Sequence, residues 1–369
     1  MKKLIYIAFA AVVALTACTK VDMEEIAPRK KVTFQVAGYA PQTKANTSVM
    51  SEFTSFTAKA YLYAEGYVGN NQTPQDFFGA SGTTIRAYDA NNAVTTTLGA
   101  DRYWAPGHDY YWPKSENSYI NFIAWYDRRG VAPTTATETS LSWNNYTVQS
   151  TDNLLFADEA WRFNTNTSNG TQYDGDQVTS GVPMLFHHAL AQVAFQAKLK
   201  SSSTPSDFRT ELTITNFELS GIYSTGSLSL TNSDPSTSAT AKAWTKSSTC
   251  GWTPSGSTSS FSDANTHELS TTATSLVAMR TVLPQSVDGM MLTLAYTVKT
   301  YKGNSETPTI VENMSLTDEL NNLVPSITDW LMGHKITYTL EFDPKTDSIV
   351  FKPTLQSWED FVGGGVTVE

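Results

Sequence analysis

The sequence predicts an all-β protein with at most one short helix. Aromatic residues make up 12% of the chain and charged residues only 16%, a composition that favours strands over long helices. Apolar and polar residues alternate in several short segments, which is the pattern of half-buried strands. Stretches rich in serine, threonine, glycine and proline separate these segments. Many short strands with turns between them are typical of β-sandwiches.

The length of the chain predicts two sandwich domains. A chain of 369 residues exceeds what one ordinary hydrophobic core organises. We expect an N-terminal domain over residues 32–185 and a C-terminal domain over 186–369, with the boundary at the polar stretch before the apolar run at 182–193. The net charge is −10 and no basic cluster is evident, which argues against a nucleic-acid partner.

The first predicted strand is the alternating segment 31–36. Val32, Phe34 and Val36 lie on one face of it, because successive side chains of a strand point to opposite faces. Serine and threonine dominate residues 233–260, which we predict to be a loop. Further strands are predicted at residues 57–67, 119–126, 193–199, 212–219, 227–230, 274–283, 291–301 and 336–342.

One segment has helical spacing. Leu320, Leu323, Ile327 and Leu331 recur every three or four residues, which predicts a helix over 318–331. Pro325 lies inside this segment, and a proline there kinks or splits a helix.

The N-terminal segment is typical of a secretory signal peptide. Lys2 and Lys3 precede an apolar run over 4–15, which is too short to span a bilayer. The run closes with Leu-Thr-Ala-Cys at 15–18 and resembles a bacterial lipobox. The resemblance implies that residues 1–17 are removed and that Cys18 carries lipid.

An acidic linker follows over residues 18–31. Asp22, Glu24 and Glu25 resemble the surface-export tether of lipoproteins of the Bacteroides group. A solvated linker that stays unfolded has the same composition, and both interpretations are open. If Cys18 carries lipid, Cys250 has no partner for an internal disulfide.

We predict neither catalysis nor a metal site. The sequence has no P-loop, no dinucleotide fingerprint and no serine-nucleophile elbow. His187 and His188 are adjacent in a predicted strand, so they point to opposite faces and do not easily share one metal ion. We interpret both as structural.

Six segments in a fixed order resemble the fimbrillin-like family of Bacteroidales surface proteins. The resemblance covers nearly all of the chain after the linker. It implies two β-sandwich domains of transthyretin-like topology, and export as a lipoprotein held in the outer membrane through Cys18. It also implies assembly with other fimbrial subunits, and adhesion to a host or bacterial surface ligand, without a cofactor. The segments are YYWPKSENSYINFIAWY, DNLLFADE, VPMLFHHALAQVAFQAKL, VLPQ, GHKITYTLEFD and FKPTLQSWEDF.

The resemblance further implies strand exchange. In polymerising members a protease of trypsin-like specificity removes the first strand, and a strand of the next subunit fills the exposed groove. Here this implies cleavage at Lys44 and displacement of the strand that carries Val32, Phe34 and Val36. Many members have arginine where this chain has Lys44. Removal of an edge strand exposes unpaired backbone groups that accept an incoming strand.

The candidate donor strand is the C-terminal tail. Val366 and Val368 follow three glycines at 363–365, which form a flexible hinge. Two other interpretations are open: the tail is the last strand of its own sheet, or a longer stretch over 354–368 detaches.

An aromatic cluster gives an alternative function. If these side chains are exposed, they stack on sugars, as in a surface glycan-binding lipoprotein. If they are buried, they pack the sandwich core, which the general pattern of the family favours. The cluster consists of Tyr103, Trp104, Tyr110, Tyr111 and Trp112.

Overall fold

The structure is a computed structural model, and almost all of the described chain is strand. It describes residues 31–38, 53–63, 73–89, 91–95, 103–113, 118–165, 172–173, 181–200, 207–232, 243–246, 251–343, 348–358 and 366–367. The described residues form 25 strands and one helix of four residues. The predicted all-β class with one short helix is therefore confirmed.

The strands of the first half are short. They are β1 (Phe34–Gly38), β2 (Ser55–Tyr63), β3 (Gln75–Asp76), β4 (Thr83–Tyr88), β5 (Tyr103–Pro106), β6 (Tyr119–Asp127), β7 (Thr135–Thr137), β8 (Ser140–Thr147), β9 (Leu154–Ala157), β10 (Ala160–Thr165), β11 (Gln172–Tyr173) and β12 (Val182–His188).

The second half contains the longest strands and the helix. Its elements are β13 (Ala191–Leu199), β14 (Phe208–Thr231), β15 (Thr245–Lys246), β16 (Trp252–Asp263), β17 (His267–Glu268), β18 (Thr274–Val282), β19 (Gln285–Ser286), β20 (Met291–Lys302), β21 (Ile310–Glu319), α1 (Leu320–Leu323), β22 (Asp329–Trp330), β23 (His334–Asp343), β24 (Ser348–Ser357) and β25 (Val366–Thr367).

A ten-stranded sheet of the first half returns on itself. Its order is β11-β10-β6-β9-β12-β1-β5-β4-β2-β3, and β2 also pairs with β6. The seven strands from β6 through β9, β12, β1, β5 and β4 to β2 therefore form a closed ring. All seven contribute side chains to one buried cluster, the ring core. β1 is one member of this ring.

The second half forms a sandwich of two sheets. One has five strands in the order β18-β13-β23-β24-β25, and the other has eight in the order β21-β20-β14-β8-β7. A second buried cluster takes residues such as Phe195 and Tyr338 from the five-stranded sheet, and Phe217 and Leu294 from the eight-stranded sheet. This packing of two inner faces is that of a β-sandwich.

A third cluster joins the two halves. It contains Tyr119 and Trp125 from the outer face of the ring together with Leu228 and Trp252 from the second half. Beside it, the fully buried Glu159 carboxylate accepts hydrogen bonds from the side-chain amides of Asn121, on β6, and Asn232, after β14. A buried carboxylate needs such donors, so these bonds tie β6 to the end of β14.

The predicted helix over 318–331 is wrong in length. α1 ends at Leu323, and Val324 leaves the helix with φ −139° and ψ 71°. Proline disfavours a helical conformation in the residue before it, so Pro325 explains the early end. Leu320, Val324 and Ile327 are nevertheless buried. No helix among the described residues has the length and apolar character needed to cross a membrane.

The predicted loop over 233–260 is also wrong in its second part. β16 begins at Trp252 and pairs with β14 along much of its length. Trp252 and Phe261 are buried, whereas the serines and threonines between them are mostly exposed. Serine-rich composition therefore marks a solvent-facing strand here. β12 runs through residues 185 and 186, and the division into two domains near this position stays a prediction.

Candidate functional site

β1 forms because its side chains alternate between the core and solvent. Val32, just before it, is 1% exposed and Phe34 is 2% exposed, while Gln35 lies on the surface. Val36 is half-buried and packs against the same ring core. The predicted shared face of Val32, Phe34 and Val36 is therefore confirmed.

β1 lies inside its sheet and not at an edge, which corrects the edge position assumed above. It pairs in parallel with β12 from Phe34 opposite Val182 to Gly38 opposite Phe186. On its other side Phe34 pairs with Trp104 of β5 in antiparallel orientation. Neighbouring strands are about 4.8 Å apart, so removal of β1 leaves a groove about 10 Å wide between β12 and β5, and opens the ring.

The Phe34 ring is the main apolar contact of the strand. Its centroid lies 6.1 Å from that of Phe56, 6.2 Å from that of Phe78 and 5.6 Å from that of Phe122, all in edge-on geometry. Such edge-to-face pairs are favourable beyond the burial of their area. The floor of the groove is therefore a pocket of phenylalanine rings shaped to receive one more.

Gly181 lets β12 approach β1 closely. Its φ is +92°, and a Cβ atom there would lie 2.8 to 3.0 Å from the backbone of Phe34. The next residue, Val182, donates its N–H to the Thr33 carbonyl at 2.8 Å. Sequence reasoning missed this glycine, although a glycine directly before an apolar strand is a signal for close backbone approach.

Contacts of the aromatic segment hold the start of the first strand. The Val32 N–H donates to the Tyr110 carbonyl at 2.8 Å, and Lys31 bridges to Tyr111. The Lys31 ammonium lies 2.7 Å from an oxygen of Asp109, and both side chains are about half exposed. Their hydrogen bond raises the pKa of Lys31 and lowers the pKa of Asp109. Because the pair is solvated, it helps to set register and contributes little stability.

The remaining predicted site residues lie in another sheet or outside the described residues. Cys18, Lys44 and Val368 lie outside the described part of the chain. Val366 belongs to β25 and pairs with Leu355 of β24 at the edge of the five-stranded sheet. The structure therefore does not bring the candidate donor next to β1 of the same chain.

The two histidines have structural contacts. Nε2 of His187 lies 2.7 Å from the Asp158 carboxylate, and Nδ1 of His188 lies 3.0 Å from the Asn153 side-chain oxygen. The His188 ring also stacks on Trp358 at 4.4 Å between centroids. Among the described residues no three His, Cys, Asp or Glu side chains are grouped so that they could hold a metal ion.

The tryptophans of the aromatic segment belong to the ring core. Trp104 is 3% exposed and Trp112 is 7% exposed, so neither presents a face to a sugar. Tyr110 packs against the same cluster, while Tyr111 is 38% exposed. The interpretation of this segment as packing is therefore confirmed for both tryptophans.

The closed ring, the inserted first strand and the attached sandwich define a class of all-β protein. Residues 67–358 match the sequence profile described as fimbrillin-like. The chain belongs to the fimbrillin-like family. Family membership indicates a fimbrial subunit at the cell surface, which is a structural and not an enzymatic role.

Solved structures give further likenesses at low identity. A fimbrial protein from Bacteroides vulgatus is 14% identical, with a TM-score of 0.46 over 89% of this chain and 99% of that one. The fimbrial anchor protein Mfa2 from Porphyromonas gingivalis is 12% identical, with a TM-score of 0.31 over 90% of this chain and 98% of that one. A search of curated proteins finds no match to this chain.

Proposed function

We propose that this chain is a fimbrial subunit that is exported as a lipoprotein through Cys18 and polymerises by strand exchange. Cleavage after Lys44 releases β1, and a strand of the next subunit fills the groove between β12 and β5. The assembled fimbria serves adhesion to a host or bacterial surface. The observation that carries the proposal is the position of β1: a five-residue strand near the N-terminus completes a closed ring and supplies Phe34 to its core.

The burial of β1 supports a requirement for replacement. Burial of an apolar side chain such as Val32 or Phe34 stabilises a fold by about 1.5–3 kcal/mol. The parallel ladder to β12 adds backbone hydrogen bonds, and without β1 the N–H and C=O groups of β12 that face the groove lose these partners. A subunit without β1 is therefore stabilised when any suitable strand enters the groove. An incoming strand with alternating apolar residues fits both the backbone and the pockets.

The contacts of β24 and β25 favour the short donor over the long one. β24 pairs with β23 over all ten residues, and Trp358 at its end is buried on His188. Among the described residues, β25 makes a two-residue ladder to β24. Detachment after Trp358 therefore leaves the ten-residue ladder between β23 and β24 intact. The free segment has 369 − 358 = 11 residues, and at about 3.3 Å per residue it spans roughly 36 Å. This exceeds the length of β1.

The test is limited proteolysis of the purified chain with a trypsin-like protease. We expect a new N-terminus at Ala45, followed by assemblies larger than any that the uncleaved chain forms. The matched control is Lys44→Gln, which should keep residues 31–44 attached and form no such assemblies. If cleaved protein starting at Ala45 forms no larger species at any concentration, strand exchange is refuted.

A second variant assigns the donor. Deletion of residues 359–369 should leave cleavage at Lys44 intact but abolish assembly. A synthetic peptide of residues 359–369 should then bind the cleaved protein, whereas a peptide with Val366 and Val368 changed to aspartate should not. Assembly without the tail would exclude it as donor and leave the groove hypothesis to be tested with other segments.

A further inference from the structure

The eight-stranded sheet ends in a long strand with one open side. Its two edge strands are β7, with three residues, and β21, with ten. β21 pairs with β20 from Ile310 opposite Thr300 to Glu319 opposite Met291. Within the described part of the chain, β21 has no strand on its other side. An open edge of this length is a template for pairing with another chain.

Apolar side chains surround this open edge. Ile310 is 51% exposed, Val311 is 52% exposed and Met314 is 40% exposed. Met314 pairs with the buried Tyr296, so Ile310 and Met314 lie on the core-facing side of the sheet, where it extends past the core. Phe208, the first residue of β14, is 50% exposed and lies on the same side of the sheet. It stands two residues before Thr210, which lies in line with Ile310 across β20. The edge and the patch are therefore continuous.

The outer side of β24, in the five-stranded sheet, is protected against edge pairing, whereas the outer side of β21 is not. β24 carries Lys352 and Pro353, and β25 covers part of its outer side. Lysine, proline and short covering strands are the devices by which natural sheets prevent edge pairing. The sequence of β21, IVENMSLTDE, contains no lysine, arginine or proline. Two of its three acids lie at the end of the strand, so its first seven residues carry a single charge, at Glu312.

We propose that β21 pairs antiparallel with β21 of a second copy of this chain, forming a two-fold symmetric dimer. The pairing is centred on Asn313, so that Ile310 lies opposite Leu316 of the second copy and Glu312 lies opposite Met314 of the second copy. A two-fold interface requires such self-complementarity. The segment 310–316 then pairs throughout with apolar residues at both ends and no acid facing an acid. The inference goes beyond strand exchange and does not depend on it.

Charge repulsion argues against one alternative register. If the pairing were centred on Ser315, Glu312 would lie opposite Asp318 of the second copy, and like charges directly opposite one another are destabilising. Centring on Asn313 leaves Asp318 and Glu319 beyond the paired segment, where they are solvated. The acidic end of β21 therefore disfavours pairing that is shifted toward Ser315.

Sedimentation of the uncleaved chain tests the dimer. The protein carries Cys18→Ser and Cys250→Ser, so neither lipid nor disulfides contribute. We expect a monomer–dimer equilibrium that Met314→Lys weakens at least tenfold. The matched control is Val350→Lys, which adds the same charge at a residue of similar exposure, 46%, on the protected edge. A protein that stays monomeric throughout, or an equal effect of both variants, would overturn the proposal.

Cross-linking tests the register in the same cysteine-free background. Asn313→Cys should give a disulfide-linked dimer, because residues opposite one another have Cα atoms about 4.5–5.5 Å apart. Thr317→Cys, exposed on the same face of the same strand, should give none, because its two copies would lie roughly 26 Å apart. Stronger cross-linking through Ser315→Cys than through Asn313→Cys would refute the alignment. These proteins keep β1, so failure here and failure of strand exchange are distinguishable.

Discussion

Phe34→Ala should be among the most destabilising single substitutions in the first half of the chain. The ring is 2% exposed and has three phenylalanine neighbours within 6.2 Å. Truncation of a core phenylalanine to alanine costs about 3–5 kcal/mol. The loss includes three aromatic pairs worth roughly 0.5–1.5 kcal/mol each, and rigid rings line the cavity that remains. We therefore expect the free energy of unfolding to fall by about 4 kcal/mol.

Urea denaturation followed by tryptophan fluorescence measures this change, because Trp104 pairs directly with Phe34. The matched control is Gln35→Ala, one residue along the same strand but on the exposed face. Surface substitutions of this kind usually change stability by less than about 0.5 kcal/mol. A loss below about 1 kcal/mol for Phe34→Ala, or equal losses for both variants, would show that β1 is not an integral part of the ring core.

Three further predictions concern backbone, charge and buried polar contacts. Gly181→Ala should destabilise the protein more than Gly256→Ala in thermal melts, because both glycines have positive φ but, of the two, only a Cβ at Gly181 meets another backbone within 4 Å. The left-handed conformation costs either alanine about 1–2 kcal/mol, so equal losses of stability would contradict the close approach of the two backbones. The hydrogen bond from Lys352, followed by that from Lys198, lowers the pKa of Glu341 below its ordinary 4.5, so this contribution to stability is complete above pH 4.5 and is lost as the pH falls through the lower folded-state pKa. Carbon-13 NMR titration should show the pKa of Glu341 rising toward 4.5 in Lys352→Met, and an unchanged pKa would contradict the assignment. Asn232→Ala removes an amide donor from the buried carboxylate that joins the halves, and urea denaturation should show a loss of about 1–3 kcal/mol, whereas a neutral effect would mean that this bond does not stabilise the junction.

The sequence predicts the strands that have one buried face and one solvated face. The alternation around Phe34 correctly identifies the side chains that enter the core, because the period of a strand is two residues. β6 is buried on both faces, and its nearly continuous apolar run also predicts a strand. The composition predicts the all-β class because few segments have the residues that long helices need.

The pairing of strands could not be predicted in this way. Nothing local to β1 shows that it lies between β12 and β5, since those partners are far away in sequence and depend on how the ring closes. Periodicity also overestimates the helix at 318–331, because apolar spacing reports which residues are buried and Pro325 decides where the helix ends. β16 is not predicted as a strand because its exposed serines and threonines give it the composition of a loop.

The length of β14 has a mechanical consequence. This strand of 24 residues pairs through its first part with β20 and through its last part with β8, so one backbone runs from the sandwich to the junction with the ring. Tension along β14 acts in shear on the ladders that flank it, and many hydrogen bonds must break together instead of one after another. A fibre of such subunits under fluid drag would therefore transmit force through each subunit along a continuous strand, and its yielding points would lie at the short ladders, such as β25 on β24.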